Sequence, residues 1–149
     1  MSVTRAIGAL LLALFLAAGV ATAGDDRAAV TVPAPDSPPR DAILDAVRMR
    51  AGAAGRLSVD HIAVATDGAT YAFVRATEIV GVLEDGAPDA VVMALLALGP
   101  EGSGRRWRVV ELWTQDLDGE AERRDFVRRV RARQRAAGLP DALLPSDLR

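Results

Sequence analysis

The stretch Ala90-Val91-Val92-Met93-Ala94-Leu95-Leu96-Ala97-Leu98 decides the fold. From Val91 to Leu98 every side chain is apolar, the run is far short of a membrane span, and it ends on Gly99-Pro100. A strand with one wet face alternates apolar and polar residues, whereas one apolar on both faces needs cover on both. The stretch therefore reads as a central strand with a layer on each side. Downstream, Gly99-Pro100-Glu101-Gly102-Ser103-Gly104 turns the chain, and Arg106 to Thr114 alternates Trp107, Val109, Glu111 and Trp113 against Arg108, Val110 and Leu112. A regular pleat puts Trp107 and Trp113 on one face.

Upstream, Leu57 to Thr66 carries Val59, Ile62 and Val64, and Thr70 to Ala76 carries Tyr71 and Phe73. Asp67-Gly68 between them is a hairpin signal. The connection from Gly81 to Asp89 is rich in turn formers. Further out, Ser37 and Pro38 suit the start of a helix. Ile43, Leu44, Val47 and Ala51 then share one helical face, and Gly52 and Gly55 end it. A second helix runs from about Gly119 to Ala137, with Asp118 as its cap and Gly138 and Pro140 as its stop. Its apolar stripe, Phe126 and Val130 with Val127 and Ala137, is thin, so Leu139, Leu143 and Leu144 are expected to extend the cover.

The expected fold is α+β: an N-terminal helix packed on a four-stranded antiparallel meander sheet, plus a C-terminal helix, in a cystatin-like arrangement. A monomer is favoured over a homodimer if that last helix covers the second face. The matching motifs are Arg40-Asp41-Ala42-Ile43-Leu44-Asp45-Ala46-Val47-Arg48, Tyr71-Ala72-Phe73-Val74, Leu95-Leu96, Trp107-Arg108-Val109-Val110-Glu111 and Pro140-Asp141-Ala142-Leu143-Leu144-Pro145. In these the chain resembles a loose group of uncharacterised exported bacterial proteins. Tyr71 stands where that group has Trp, and the opening Arg is displaced. The resemblance implies a fold and carries no activity.

Residues 1–23 read as a cleavable secretory signal peptide. Arg5 supplies the charge, Ala6 to Val20 the apolar run, and Ala21-Thr22-Ala23 the small-residue site, so cleavage is expected between Ala23 and Gly24. The run is shorter than the roughly 20 residues of a spanning helix, so no stable membrane insertion is expected after cleavage. The destination is periplasmic or extracellular. Residues 24–39, with Pro33, Pro35, Pro38 and Pro39, read as a Pro-rich disordered linker, and 40–149 as a single domain. Cysteine is absent, which excludes disulfides, thiolate metal sites and a lipid-anchoring cysteine. All eighteen basic residues are Arg; loss of Arg5 takes the net charge from −2 to −3, a poor balance for nucleic acid.

Candidate chemistry is sparse. His61 is the lone histidine, and a proton-shuttling pocket of Asp60, His61 and Tyr71, as in ketosteroid-isomerase-like enzymes, is the catalytic alternative. Adjacent residues of a regular strand face opposite ways, so Asp60 and His61 need a bulge to act together. Ser103 sits in Gly102-Ser103-Gly104, a turn without the G-x-S-x-G elbow or a phosphate-loop ending. Glu78 and Glu111 are the carboxylates that could approach across the sheet. Asp116, Asp118 and Asp125 partly match a calcium loop, but Thr114 holds its first position and the final Glu is missing. The cluster Arg123, Arg124, Arg128, Arg129, Arg131, Arg133 and Arg135 lacks the apolar face of a membrane helix and reads as solvated and ion-paired. No cofactor is expected. The expected role is non-enzymatic binding of an unknown protein or envelope partner.

Overall fold

The computed structural model describes residues 29–67, 69–79, 90–101, 104–115 and 118–149. The signal peptide, the first part of the linker, the connection 81–89, Gly68, Gly102, Ser103 and Asp116 lie outside the described residues. The chain forms β1 (Ala29–Thr31), α1 (Pro38–Ala51), β2 (Arg56–Asp67), β3 (Ala69–Ile79), β4 (Ala90–Glu101), β5 (Gly104–Thr114) and α2 (Glu120–Ala136). Two single-turn 3-10 helices follow, Asp141–Leu143 and Ser146–Leu148. The fold is α+β, with one antiparallel meander in the order β1-β2-β3-β4-β5.

The sheet has five strands where four were expected. The extra one, β1, comes from the segment read as linker: Ala29, Val30 and Thr31 pair with Thr66, Ala65 and Val64. Two β-branched residues, Val30 and Thr31, are enough for a short edge strand, and Val30 packs against the core.

Helix α1 begins where Pro38 predicts. Ser37 is the residue before it, but its hydroxyl donates to the carbonyl of Ala34 at 2.7 Å and makes no cap bond. Pro38 and Pro39 have removed the first two amides, so the cap has little to accept from. The helix stops at Gly52, whose φ of 69° is the left-handed turn that glycine tolerates. Gly55 serves a close approach instead: a Cβ there would lie 2.6 Å from the carbonyl oxygen of Ile79. Asp118 likewise does not cap α2; Gly119 precedes the helix, and Asp118 folds back onto the amide of Thr114.

Two cores sandwich the sheet. On one face, Ile43, Leu44 and Val47 of α1 pack with Leu57, Ile62, Val74, Val92 and Leu96. Ala72, Ala76 and Ala94 keep the floor beneath the helix low. On the other face, Phe126 and Val130 of α2 meet Phe73, Met93, Leu95 and Trp113, and Leu139, Leu143, Leu144 and Leu148 complete the cover. β4, an interior strand between β3 and the edge strand β5, is accordingly buried on both sides through Val92, Met93, Ala94, Leu95 and Leu96. Each of these side chains except Ala94 contributes about 1.5–3 kcal/mol of burial.

The two tryptophans are on opposite faces: Trp107 borders the α1 core and Trp113 lies in the α2 core. The β4–β5 register shifts between Leu95 and Leu96, opposite Glu111 and Val109, leaving Val110 as an inserted residue. One extra residue in a strand inverts the side-chain alternation beyond it, which the repetitive alternation of this stretch conceals.

Candidate functional site

The β2–β3 register shifts in the same way between Val59 and His61. Asp60 is the inserted residue, and it joins His61 on the α2 face. The bulge the candidate pair needs is present, but no dyad results. Thr77 Oγ1 donates to Asp60 Oδ2 at 3.1 Å. His61 Nε2 is 3.0 Å from the Leu143 carbonyl; a carbonyl only accepts, so that nitrogen carries a proton. The ring stands edge-on to Phe73, with centroids 6.0 Å apart. Tyr71 pairs with Ala65 while His61 pairs with Arg75. Four strand positions, roughly 13 Å at 3.3 Å each, thus separate Tyr71 from the histidine.

Arg75 shows what this row of polar groups does. Its Nη1 donates to both carboxylate oxygens of Asp147 at 2.9 and 2.8 Å. With His61 on Leu143, Arg131 Nε on the Leu148 carbonyl at 2.8 Å and Arg149 Nε on the Leu144 carbonyl at 2.9 Å, it fastens the tail over the second core. Burial alone would lift the Asp147 carboxyl. The hydrogen bonds and charge of Arg75, aided by the residue's own amide and the charge of Arg123, outweigh it and hold that carboxyl below the ordinary aspartate range.

Glu111 is the buried acid of the described chain, 8% exposed. Arg129 Nε and Arg133 Nε donate to its two oxygens at 2.8 and 2.6 Å. Spaced i, i+4, these arginines stand on one side of α2. Burial pushes the Glu111 carboxyl up, but the two hydrogen bonds and then the two guanidinium charges pull it below the usual glutamate value. Glu78 is remote from it. Glu78 stands opposite Ala90 and Glu111 opposite Leu95, roughly 16 Å apart along the strand. Glu78 Oε1 instead accepts the Gly55 amide at 2.7 Å. A glycosidase-type carboxylate pair is not assembled.

The partial calcium loop is occupied by other contacts. Asp118 Oδ2 accepts the Thr114 amide at 3.0 Å, and Asp125 pairs with Arg128 at 2.8 Å. Among the described residues no three metal-binding side chains cluster. Beside this turn a cleft of about 800 Å³ is bordered by Asp60, Arg75, Met93, Trp113, Asp118 and Arg123. Its charges are spoken for: Arg75 by Asp147, Arg123 by Glu120 at 3.3 Å. Of the Arg cluster on α2, Arg123, Arg128, Arg129 and Arg133 are in ion pairs.

A second hollow has a different character. Between α1 and β5, about 770 Å³ is lined by Ala42, Ala46, Met49, Trp107 and Val109 and rimmed by Arg50, Arg105, Arg106 and Arg108. Met49 is 78% exposed, the most open large apolar side chain among the described residues. Sequence periodicity missed this site. Met49 falls outside the α1 stripe, and regular alternation puts Trp107 on a shared face with Trp113; the runs Arg48-Met49-Arg50 and Arg105-Arg106-Trp107-Arg108 are the available signal.

No protein family, curated protein or solved structure matches this chain. No described helix is long and apolar enough to cross a membrane. The site must therefore be read from its own geometry.

Proposed function

We propose that this is a small exported domain that binds a partner in the periplasm or outside the cell and catalyses no reaction. One observation carries the reading: the titratable groups that could do chemistry are already committed to holding the fold. His61 and Arg75 secure the tail, Glu111 bonds α2, and Asp60 accepts from Thr77. A catalytic base needs reach to a substrate proton, and the Asp60, His61 and Tyr71 set is dispersed. Export rests on the sequence of residues 1–23. A monomer is the working unit, because among the described residues the chain's own helices and tail build both cores, so burying them needs no second copy. The layout of α1 across an antiparallel meander supports a cystatin-like assignment, a likeness of fold that by itself assigns no function.

The test is affinity capture with the tagged mature chain from the native envelope fraction, with cross-linking to place the partner on the surface. A saturable partner is expected. A specific turnover by the wild type that disappears in Asp60→Asn or His61→Ala would instead restore the ketosteroid-isomerase-like alternative.

A further inference from the structure

We infer that the α1–β5 hollow and the adjoining edge of β5 form a docking site for an acidic, extended polypeptide segment, which adds to the sheet as a further strand. The inference rests on the binding reading above and names the partner's chemistry. β5 is the last strand of the sheet and is paired on one side only, with β4. From Gly104 to Val109 that pairing is regular, running against Glu101 to Leu96, and the bulge at Val110 closes it off. Among the described residues no backbone hydrogen bond from any element other than β4 reaches residues 104–109. An open edge of this length offers a ladder to an incoming chain, and pockets beside it select alternate side chains of that chain.

The side chains around the edge specify what fits. Met49, Trp107 and Val109 give an apolar floor on the α1 side. Arg50, Arg105 and Arg108 have no ion pair or hydrogen bond to another described residue, so their charge is available. Asp45, the one acid among the described residues that line the hollow, already holds Arg48 at 2.9 Å. A segment alternating carboxylate and aliphatic side chains would present aliphatics to the floor and acids to the arginines. A second copy of the chain does not suit the edge. Antiparallel pairing of one β5 with another brings two arginine-rich runs together, and registers centred near Trp107 oppose Arg105 to Arg108 or Arg106 to Arg108; like charges directly opposed across strands are unfavourable.

The experiment measures binding of a fluorescent (Glu-Val)4 peptide to the purified protein, with hydrogen–deuterium exchange across β5. The expected result is saturable binding that weakens with salt, with slowed exchange confined to residues 104–109. The double variant Arg105→Glu/Arg108→Glu, at exposed positions with no ion pair or hydrogen bond to another described residue, should lose on the order of tenfold in affinity. The same peptide with alternate backbone nitrogens methylated keeps its charge but loses its ladder donors, and should lose binding. Equal binding of the methylated peptide, or of a single-stranded oligonucleotide, would mean a plain anion-attracting patch and overturn the inference. So would unchanged exchange at 104–109. If the peptide fails while the envelope partner is still captured and cross-links elsewhere, the binding reading stands and this site does not.

Discussion

Replacing Glu111 with Gln isolates the interaction that holds α2 to the sheet. The amide is isosteric, so the packing around a side chain 8% exposed is preserved. What changes is that a carboxylate accepting two guanidinium bonds at 2.8 and 2.6 Å becomes a group with one accepting oxygen. Its NH2 then faces a second guanidinium with nothing to receive its protons. Hydrogen bonds to charged groups contribute about 1.5–3 kcal/mol, and an unsatisfied buried donor costs about 1–3 kcal/mol. Arg129 and Arg133 are about half exposed, at 51% and 53%, so water takes back much of what they lose. The balance is a loss of about 2 kcal/mol, or roughly 10 °C in Tm for a domain near 100 residues.

The pH dependence checks the cause. The Glu111 carboxyl lies below its ordinary value in the folded chain, so its stabilisation is complete above the unfolded carboxylate range and disappears as pH falls through the folded value. Urea unfolding at pH 7 and pH 3 should thus show a gap between wild type and Glu111→Gln that is wide at neutrality and closes in acid. A difference under about 0.5 kcal/mol at pH 7, within the range of ordinary surface substitutions, would refute the reasoning, as would a gap that persists unchanged at pH 3.

Other predictions follow from the second core and the tail. Phe126→Ala removes a fully buried ring in contact with Phe73 and should cost about 3–5 kcal/mol in chemical denaturation. Arg75→Ala should release the tail, seen as faster hydrogen exchange at Leu143 to Leu148 with α1 unaffected. Truncation after Asp118 should expose Phe73, Met93 and Leu95 and yield an aggregated or oligomeric species by light scattering; a folded, soluble monomer would contradict the role assigned to α2. Protein recovered from the exporting cell should begin at Gly24 by intact-mass measurement, and a chain retaining Met1 or Ser2 in the membrane would favour an anchor.

Much of the architecture was legible because it follows from patterns of long range. The two-sided apolarity of residues 91–98 announces a sandwiched strand, and Pro38, Gly52 and Gly138 punctuate the helices where the chain turns. Single-residue events were not legible. Neither Asp60 nor Val110 looks like a bulge in a row of β-formers, yet each shifts the alternation of the residues around it. That is why Asp60 and His61 come to share a face and the two tryptophans do not. β1 is not legible because three residues just ahead of a proline-rich run offer no periodicity, and only the existing edge of β2 makes them a strand. The ion-pairing of Arg129 and Arg133 was foreseen in kind, but its partner was not, since Glu111 lies on a different element.

The tail has a consequence for biogenesis. A polypeptide that emerges N-terminus first, from a ribosome or through a translocation pore, completes the α1 side of the sheet before residues 139–148 are available. Until Leu139, Leu143, Leu144 and Leu148 arrive, Phe73, Met93 and Leu95 have only a partial lid or none. The nascent sheet is then a sticky half-sandwich, vulnerable to collisions with its neighbours in proportion to the delay. Completion of the second face therefore waits on residues 139–148, and a stall while they are being made leaves that face open for as long as it lasts.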